Sequence, residues 1–151
     1  MLRERFAKQE PEKGLGSGLT ELVVESEAAG FRFVRRLVDD WLSGCNRFHG
    51  DGEALFTAIV DDRVIGVCGL NVDPYAGDAT VGRVRHLYVM TAFRNQGVGR
   101  RLVEKVIAAA RGRFRFLRLR TDSEAAGRFY ESVGFRACAA KDFTHALNIA
   151  E

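Results

Sequence analysis

The chain has 151 residues, 46% of them hydrophobic and 28% charged, which is enough apolar material for one compact core and enough charge for solubility. Its 23 basic and 20 acidic side chains leave a net charge of +3, which accommodates an anionic ligand without requiring nucleic acid. No apolar run reaches the roughly 20 residues of a membrane span. The three cysteines, Cys45, Cys68 and Cys138, are odd in number and widely spaced, against a disulfide framework or a zinc site, so no metal is expected and the cytoplasm is the expected compartment.

Residues 1–18 are charged and glycine-bearing, lack the apolar middle of a signal peptide, and read as a mobile leader before one domain over 19–151. "LTELVV" (Leu19–Val24) reads as a short strand. Ser26 then offers a cap to a helix, with Glu27 in its first turn. Val34, Leu37, Val38, Trp41 and Leu42 follow helical spacing, and Gly44 marks that helix's end. "EALFTAIV", the turn "DDR" and "VIGVCGLNV" predict a β-hairpin with both faces covered. "TVGRVRHLYV" is a further strand, Val98 to about Arg111 a strong helix, and "FRFLRLRT" an alternating strand. Ser123 and Glu124 start another helix, with Ala126, Phe129, Tyr130 and Val133 on one face and Gly134 as its stop. "FRACAA" and "FTHALNI" close the chain as strands, with Phe143, His145, Leu147 and Ile149 sharing a face. This order predicts an α/β (α+β) domain around one mixed sheet.

Between a strand and the strong helix lies "LYVMTAFRNQGVGRRL", Leu87 to Leu102. It lacks the G-x-x-x-x-G-K-[ST] of a P-loop. Gly97 and Gly99 are followed by Leu102, so the third glycine of a dinucleotide fingerprint is missing too. A helix N-terminus still exposes unsatisfied N–H groups and a partial positive charge. Glycines let that backbone approach a phosphate, and Arg94, Arg100 and Arg101 add charge. A plain strand-to-helix turn and an anion seat both fit these residues.

"RNQGVG" resembles the R-x-x-G-x-G pattern of the GNAT superfamily, the acyl-CoA-dependent N-acetyltransferases. "SEAAGRFYESVGF" resembles that family's N-x-x-A-x-x-F-Y-x-x-x-G-F, and the two segments follow in family order, separated by a helix and a strand. The resemblance runs from about Leu19 to Ile149. It departs from the family at Ser123, where asparagine is common, and at Thr91, where proline is common.

The resemblance implies a single domain with a mostly antiparallel twisted sheet, helices on both faces, and a cleft for acetyl-CoA where two parallel strands splay. The pyrophosphate would rest on Gln96, Gly97, Val98, Gly99, Arg100 and Arg101, with Arg94 at the rim. The pantetheine arm would run beside Leu87, Tyr88 and Val89, with the N–H of Val89 as the donor to the thioester oxygen. Ser123 and Phe129 would complete the cofactor contacts. Tyr130 stands at the family's tyrosine position as an acid for the leaving sulfur, although it also fits the apolar stripe of its helix. His86 is the candidate base, with His145 and His49 behind it.

The acceptor implied is a primary amine of a small molecule, with a protein lysine or N-terminal amine as the alternative and a non-catalytic CoA-binding module as a third reading. Asp39, Asp40, Asp51 and Asp73 would suit a cationic acceptor, although a loop aspartate such as Asp73 also shapes turns. "RGRFRFLRLR" interleaves arginine with aromatics, as single-stranded nucleic-acid binders do, but its alternation fits a strand with one basic face equally well. Neither nucleic acid nor a membrane is the expected partner. Edge strands near the C-terminus leave room for a homodimer.

Overall fold

The computed structural model describes residues 4–15 and 18–150. In chain order the elements are β1 (Arg5–Lys8), α1 (Leu19–Ala28), α2 (Phe33–Ser43), β2 (Ala54–Val60), β3 (Arg63–Val72) and β4 (Val81–Val89). A 3-10 turn (Thr91–Phe93) follows, then α3 (Val98–Ala110), β5 (Phe116–Leu119), α4 (Glu124–Val133), β6 (Arg136–Ala137) and β7 (His145–Asn148). Among the described residues seven strands form one sheet in the order β1-β2-β3-β4-β5-β7-β6. Every neighbouring pair is antiparallel except β4 with β5.

The sheet has a core on each face. α3 and α4 cover one with Val98, Leu102, Val103, Val106 and Tyr130 against Leu70, Val84 and Leu117. α1 and α2 cover part of the other, with Leu22, Leu37 and Trp41 against Leu55, Val67 and Tyr88. The hairpin turns at Asp61 and Asp62, both at positive φ, as a tight turn between twisted strands requires. Leu42, expected on the buried stripe of α2, is instead 68% exposed.

Three further expectations change. Leu19–Val24 is not a strand but the start of α1, whose buried residues Leu19, Leu22, Val23 and Ser26 keep helical spacing. Ser26 does not cap a helix: it lies inside α1, fully buried, with its hydroxyl donating to the Val23 carbonyl. Within the segment read as a leader, Arg5–Lys8 pairs with β2 as an edge strand, while residues 1–3, 16 and 17 lie outside the described residues.

Candidate functional site

β4 and β5 pair only from Val81↔Phe116 to Arg83↔Arg118. β4 continues to Val89 while β5 stops at Leu119 and turns to pair with β7. A gap therefore opens between the two parallel strands beyond Arg83. The Met90 N–H reaches back to the Ile65 carbonyl of β3. By strand alternation Tyr88 also turns its backbone to β3, and Leu87 and Val89 turn theirs into the gap. The Val89 carbonyl there accepts from Arg94 Nε at 2.8 Å.

A β-bulge re-aims this stretch. Val67 faces Tyr88 and Gly69 faces Arg85, so Cys68 alone spans His86 and Leu87. His86 absorbs the extra residue at φ 62°, a left-handed conformation uncommon outside glycine. The bulge sends Leu87 and Val89 toward the α3 core, and His86 and Tyr88 toward α1 and α2.

The helix after the gap starts without a cap. Gly97 is its N-cap residue, at φ 81°, and offers no side chain to the first-turn N–H groups. A Cβ at Gly97 would fall 2.5 Å from Arg101 Nη1. The first turn itself holds no acidic residue to offset its partial positive charge. Across the gap Phe129 of α4 comes close: a Cβ at Gly99 would sit 3.6 Å from its ring and 3.7 Å from Val89. Val89, Gly99 and Phe129 are thus brought together.

The arginines of the turn are partly engaged. Arg94 also lies over the Tyr88 ring, 5.2 Å from its centroid. Arg100 reaches the Ser132 carbonyl at 3.4 Å and Glu104 at 3.7 Å. Arg101 donates to the Gln96 carbonyl and pairs with Glu4. Ser123 is placed as the N-cap of α4, its Oγ accepting from the Ala126 N–H at 3.1 Å.

Tyr130 is buried between Phe129 and Phe135, both edge-on to its ring. Burial, with Cys68 nearby, pushes its hydroxyl far above the ordinary tyrosine value, so it stays protonated. Among the described residues nothing hydrogen-bonds that hydroxyl. His86 is stacked on Phe33 and edge-on to Phe48, and its Nε2 is buried without a partner. Burial, then the charges of Arg85 and Arg36, depress its pKa to about 3. His145 is also buried, with Nε2 on Glu131 at 2.9 Å, in a groove of about 340 Å³ on the β7 side of α4.

Sequence reasoning did not single out Glu25. Its carboxylate accepts from the Tyr88 hydroxyl at 2.5 Å and the Thr91 N–H at 3.0 Å, so α1 grips the end of β4 and the turn. Burial would raise its pKa, but those hydrogen bonds and the Arg94 charge outweigh that and hold it low. Burial, then Glu25 itself, raises Tyr88 to about 12. Asp51 and Asp73, considered above for a cationic acceptor, are paired with Arg113 and Arg83 respectively.

A family model described as the acetyltransferase (GNAT) family matches residues 17–135. Over 69 residues the chain is 39% identical to the N-alpha-acetyltransferase RimI of Mycobacterium tuberculosis, a match spanning 41% of this chain and 44% of that protein. A crystal structure from Exiguobacterium sp. 255-15, assigned to the acetyltransferases, is 29% identical with a TM-score of 0.84, covering 97% of this chain and 93% of that one. A GNAT family acetyltransferase from Elizabethkingia anophelis, solved with acetyl-CoA bound, shares the fold at 21% identity and TM-score 0.60, over 89% of this chain and 77% of its own.

Proposed function

The chain belongs to the GNAT acetyltransferase family, and from that premise we propose that it transfers an acetyl group from acetyl-CoA to the primary amine of a small molecule, by direct attack in a ternary complex. One observation carries the donor half: the uncapped N-terminus of α3 and the inward-turned backbone of Leu87 and Val89 line the same gap. The Val89 carbonyl there is met by Arg94, but the Leu87 and Val89 N–H groups, beyond the last β4–β5 pair, call for a polar partner. An uncapped, glycine-bearing helix start suits a pyrophosphate. With the pyrophosphate at Gln96–Arg101, the acyl end points toward the closed end of the gap. Leu87 lies deeper in it than Val89, so the Leu87 N–H is the better donor to the carbonyl oxygen as charge develops there, and Val89 serves the pantetheine arm.

The amine nitrogen attacks the thioester carbon, the C–N bond forms and the C–S bond breaks. One proton leaves nitrogen and one arrives at sulfur. Tyr130, kept protonated by burial and without a hydrogen-bond partner among the described residues, donates a hydrogen bond that stabilises the departing thiolate, which then takes its proton from water. His86 is a poor base, since a group with a pKa near 3 holds a proton too weakly at neutral pH. The amine's proton passes instead to water. A second reading, with a protein N-terminal amine as acceptor, is favoured by the partial match to RimI.

The test is acetyl-CoA-dependent amine transfer with released thiol as the readout. Tyr130→Phe is expected to lower kcat by about 100-fold with acetyl-CoA still bound. An unchanged kcat would take Tyr130 out of the chemistry. Absence of any CoA-induced thermal shift in the unaltered protein would overturn the donor site.

A further inference from the structure

On the sheet face away from α3 and α4, the strands that border the gap carry arginine. Gly82, Val84, Leu117 and Leu119 face the α3 core, so alternation places Arg83 and Arg85 of β4, and Arg118 and Arg120 of β5, on the opposite face. α1 and α2 pack on β3 and β4. Over the arginines lie loops instead. Arg83 donates to the Asp142 carbonyl at 2.9 Å and sits 4.7 Å from the Tyr75 ring centroid. Arg118 stacks 4.3 Å over Phe143, and Arg120 donates to the Lys141 carbonyl at 3.0 Å.

The four arginines differ in how their charge is met. Arg83 pairs with Asp73 at 3.3 Å, both buried, and Arg120 lies 3.9 Å from Asp122. Arg85 and Arg118 are partly buried and, among the described residues, have no carboxylate within ion-pair distance. Arg85 has only the Asn71 Oδ1 at 3.5 Å. Asp78, held below the usual carboxylate range by Thr80 with Arg115 and Arg118 adding, makes no ion pair with Arg118. Arg118 stands at the last β4–β5 pair and Arg85 two residues further along β4, about 8 Å apart at Cα for strands of ordinary spacing. They flank the closed end of the gap, where the acyl carbon is expected. Partly buried guanidinium groups without a counter-charge are costly to hold, and their planar donor forks match a carboxylate.

We propose that Arg85 and Arg118 bind a carboxylate on the acceptor, so that the substrate is a small amino acid with its amine turned to the thioester. This rests on the acetyl-transfer reading above. It replaces the cationic acceptor suggested by the acidic residues, of which Asp51 and Asp73 are already paired with Arg113 and Arg83. A peptide N-terminus or an internal lysine lacks a carboxylate at that distance from its amine.

The test is a matched panel: the L-amino acids, their carboxamides and their decarboxylated amines, with acetyl-CoA and released thiol as the readout. At least one acid is expected to be acetylated with kcat/KM ten-fold or more above its amide and its decarboxylated amine. Arg85→Gln and Arg118→Gln should each raise KM for that acid at least ten-fold and narrow its advantage over the amide, while the acetyl-CoA dissociation constant, read by calorimetry, stays put. Amides, amines or peptides turned over as well as the acids would overturn the proposal, as would arginine variants with unaltered KM. Acetyl-CoA binding with no acid acetylated would overturn it and leave the donor site standing. Loss of acetyl-CoA binding itself would remove the reading beneath it.

Discussion

β4–α3 and β5–α4 are the same kind of unit, a strand running into a helix, set side by side and parallel, yet they end differently. β5 is a plain four-residue strand, and α4 begins with Ser123 accepting from the Ala126 N–H and Glu124 in its first turn. β4 is bulged at His86, runs past its partner, and leads into a helix with glycine at its cap and no acid in its first turn. The β5 unit satisfies its own helix terminus. The β4 unit leaves its terminus open and adds a strand edge without a neighbour, the usual signature of a backbone site for a phosphate-bearing ligand.

The most direct way to break the contrast is to give α3 an acid of the kind α4 has. Gly99 has ordinary van der Waals room for a Cβ, 3.6 Å from Phe129 and 3.7 Å from Val89. Gly99→Asp would place a carboxylate where the pyrophosphate is expected. Like charges about 4 Å apart at an effective dielectric near 20 repel by about 4 kcal/mol. Acetyl-CoA affinity should fall at least about 100-fold by calorimetry, with the thermal midpoint of the free protein little changed, since an acid in a first turn suits the helix dipole. Retained affinity would mean that the phosphates sit elsewhere.

The open helix start was legible because its cause is local: Gly97 and Gly99 lie in one short stretch with Arg94, Arg100 and Arg101. The Ser123 cap and the Gly134 stop were legible for the same reason. What escaped depends on partners far along the chain. The bulge exists only because Cys68 of β3 faces two residues of β4. Glu25 matters only because α1 docks beside Tyr88. The start of α1 reads as a strand because Val23 and Val24 are β-branched neighbours with strand preference, and burial at Leu19, Leu22, Val23 and Ser26 overrides it. The arginines of β5 were visible as a basic strand face, but those of β4, and the pairing of Asp73 with Arg83, were not.

The bulge can be tested through its titration. His86 has a pKa near 3 in the folded chain against 6.5 for the free group. Above pH 6.5 it is neutral in both states and costs nothing. Between 6.5 and 3 the unfolded chain takes up a proton that the folded chain refuses, so stability falls as pH falls through that window. By pH 4 the loss reaches up to about 3 kcal/mol. His86→Asn keeps a residue tolerant of positive φ and removes the titrating ring. The variant should be less stable at pH 7, because Phe33 and Phe48 lose a packing partner, and its midpoint should fall less steeply toward pH 4. Parallel curves for the two proteins would show that His86 is not held neutral at the bulge.

The smallest effect is the mirror of the first, on the unit that caps itself. Ser123 stands where the family's pattern carries asparagine, and its hydroxyl already accepts from the Ala126 N–H. If that bond is its whole task, Ser123→Ala should cost about 1 kcal/mol of stability, the usual loss of an N-cap, and leave acetyl-CoA affinity within about two-fold. Chemical denaturation reads the first quantity and calorimetry the second. A ten-fold loss of affinity with unchanged stability would give Ser123 to the donor instead. Both βα units would then hold the ligand, and the asymmetry between them would lie only in which one supplies the backbone.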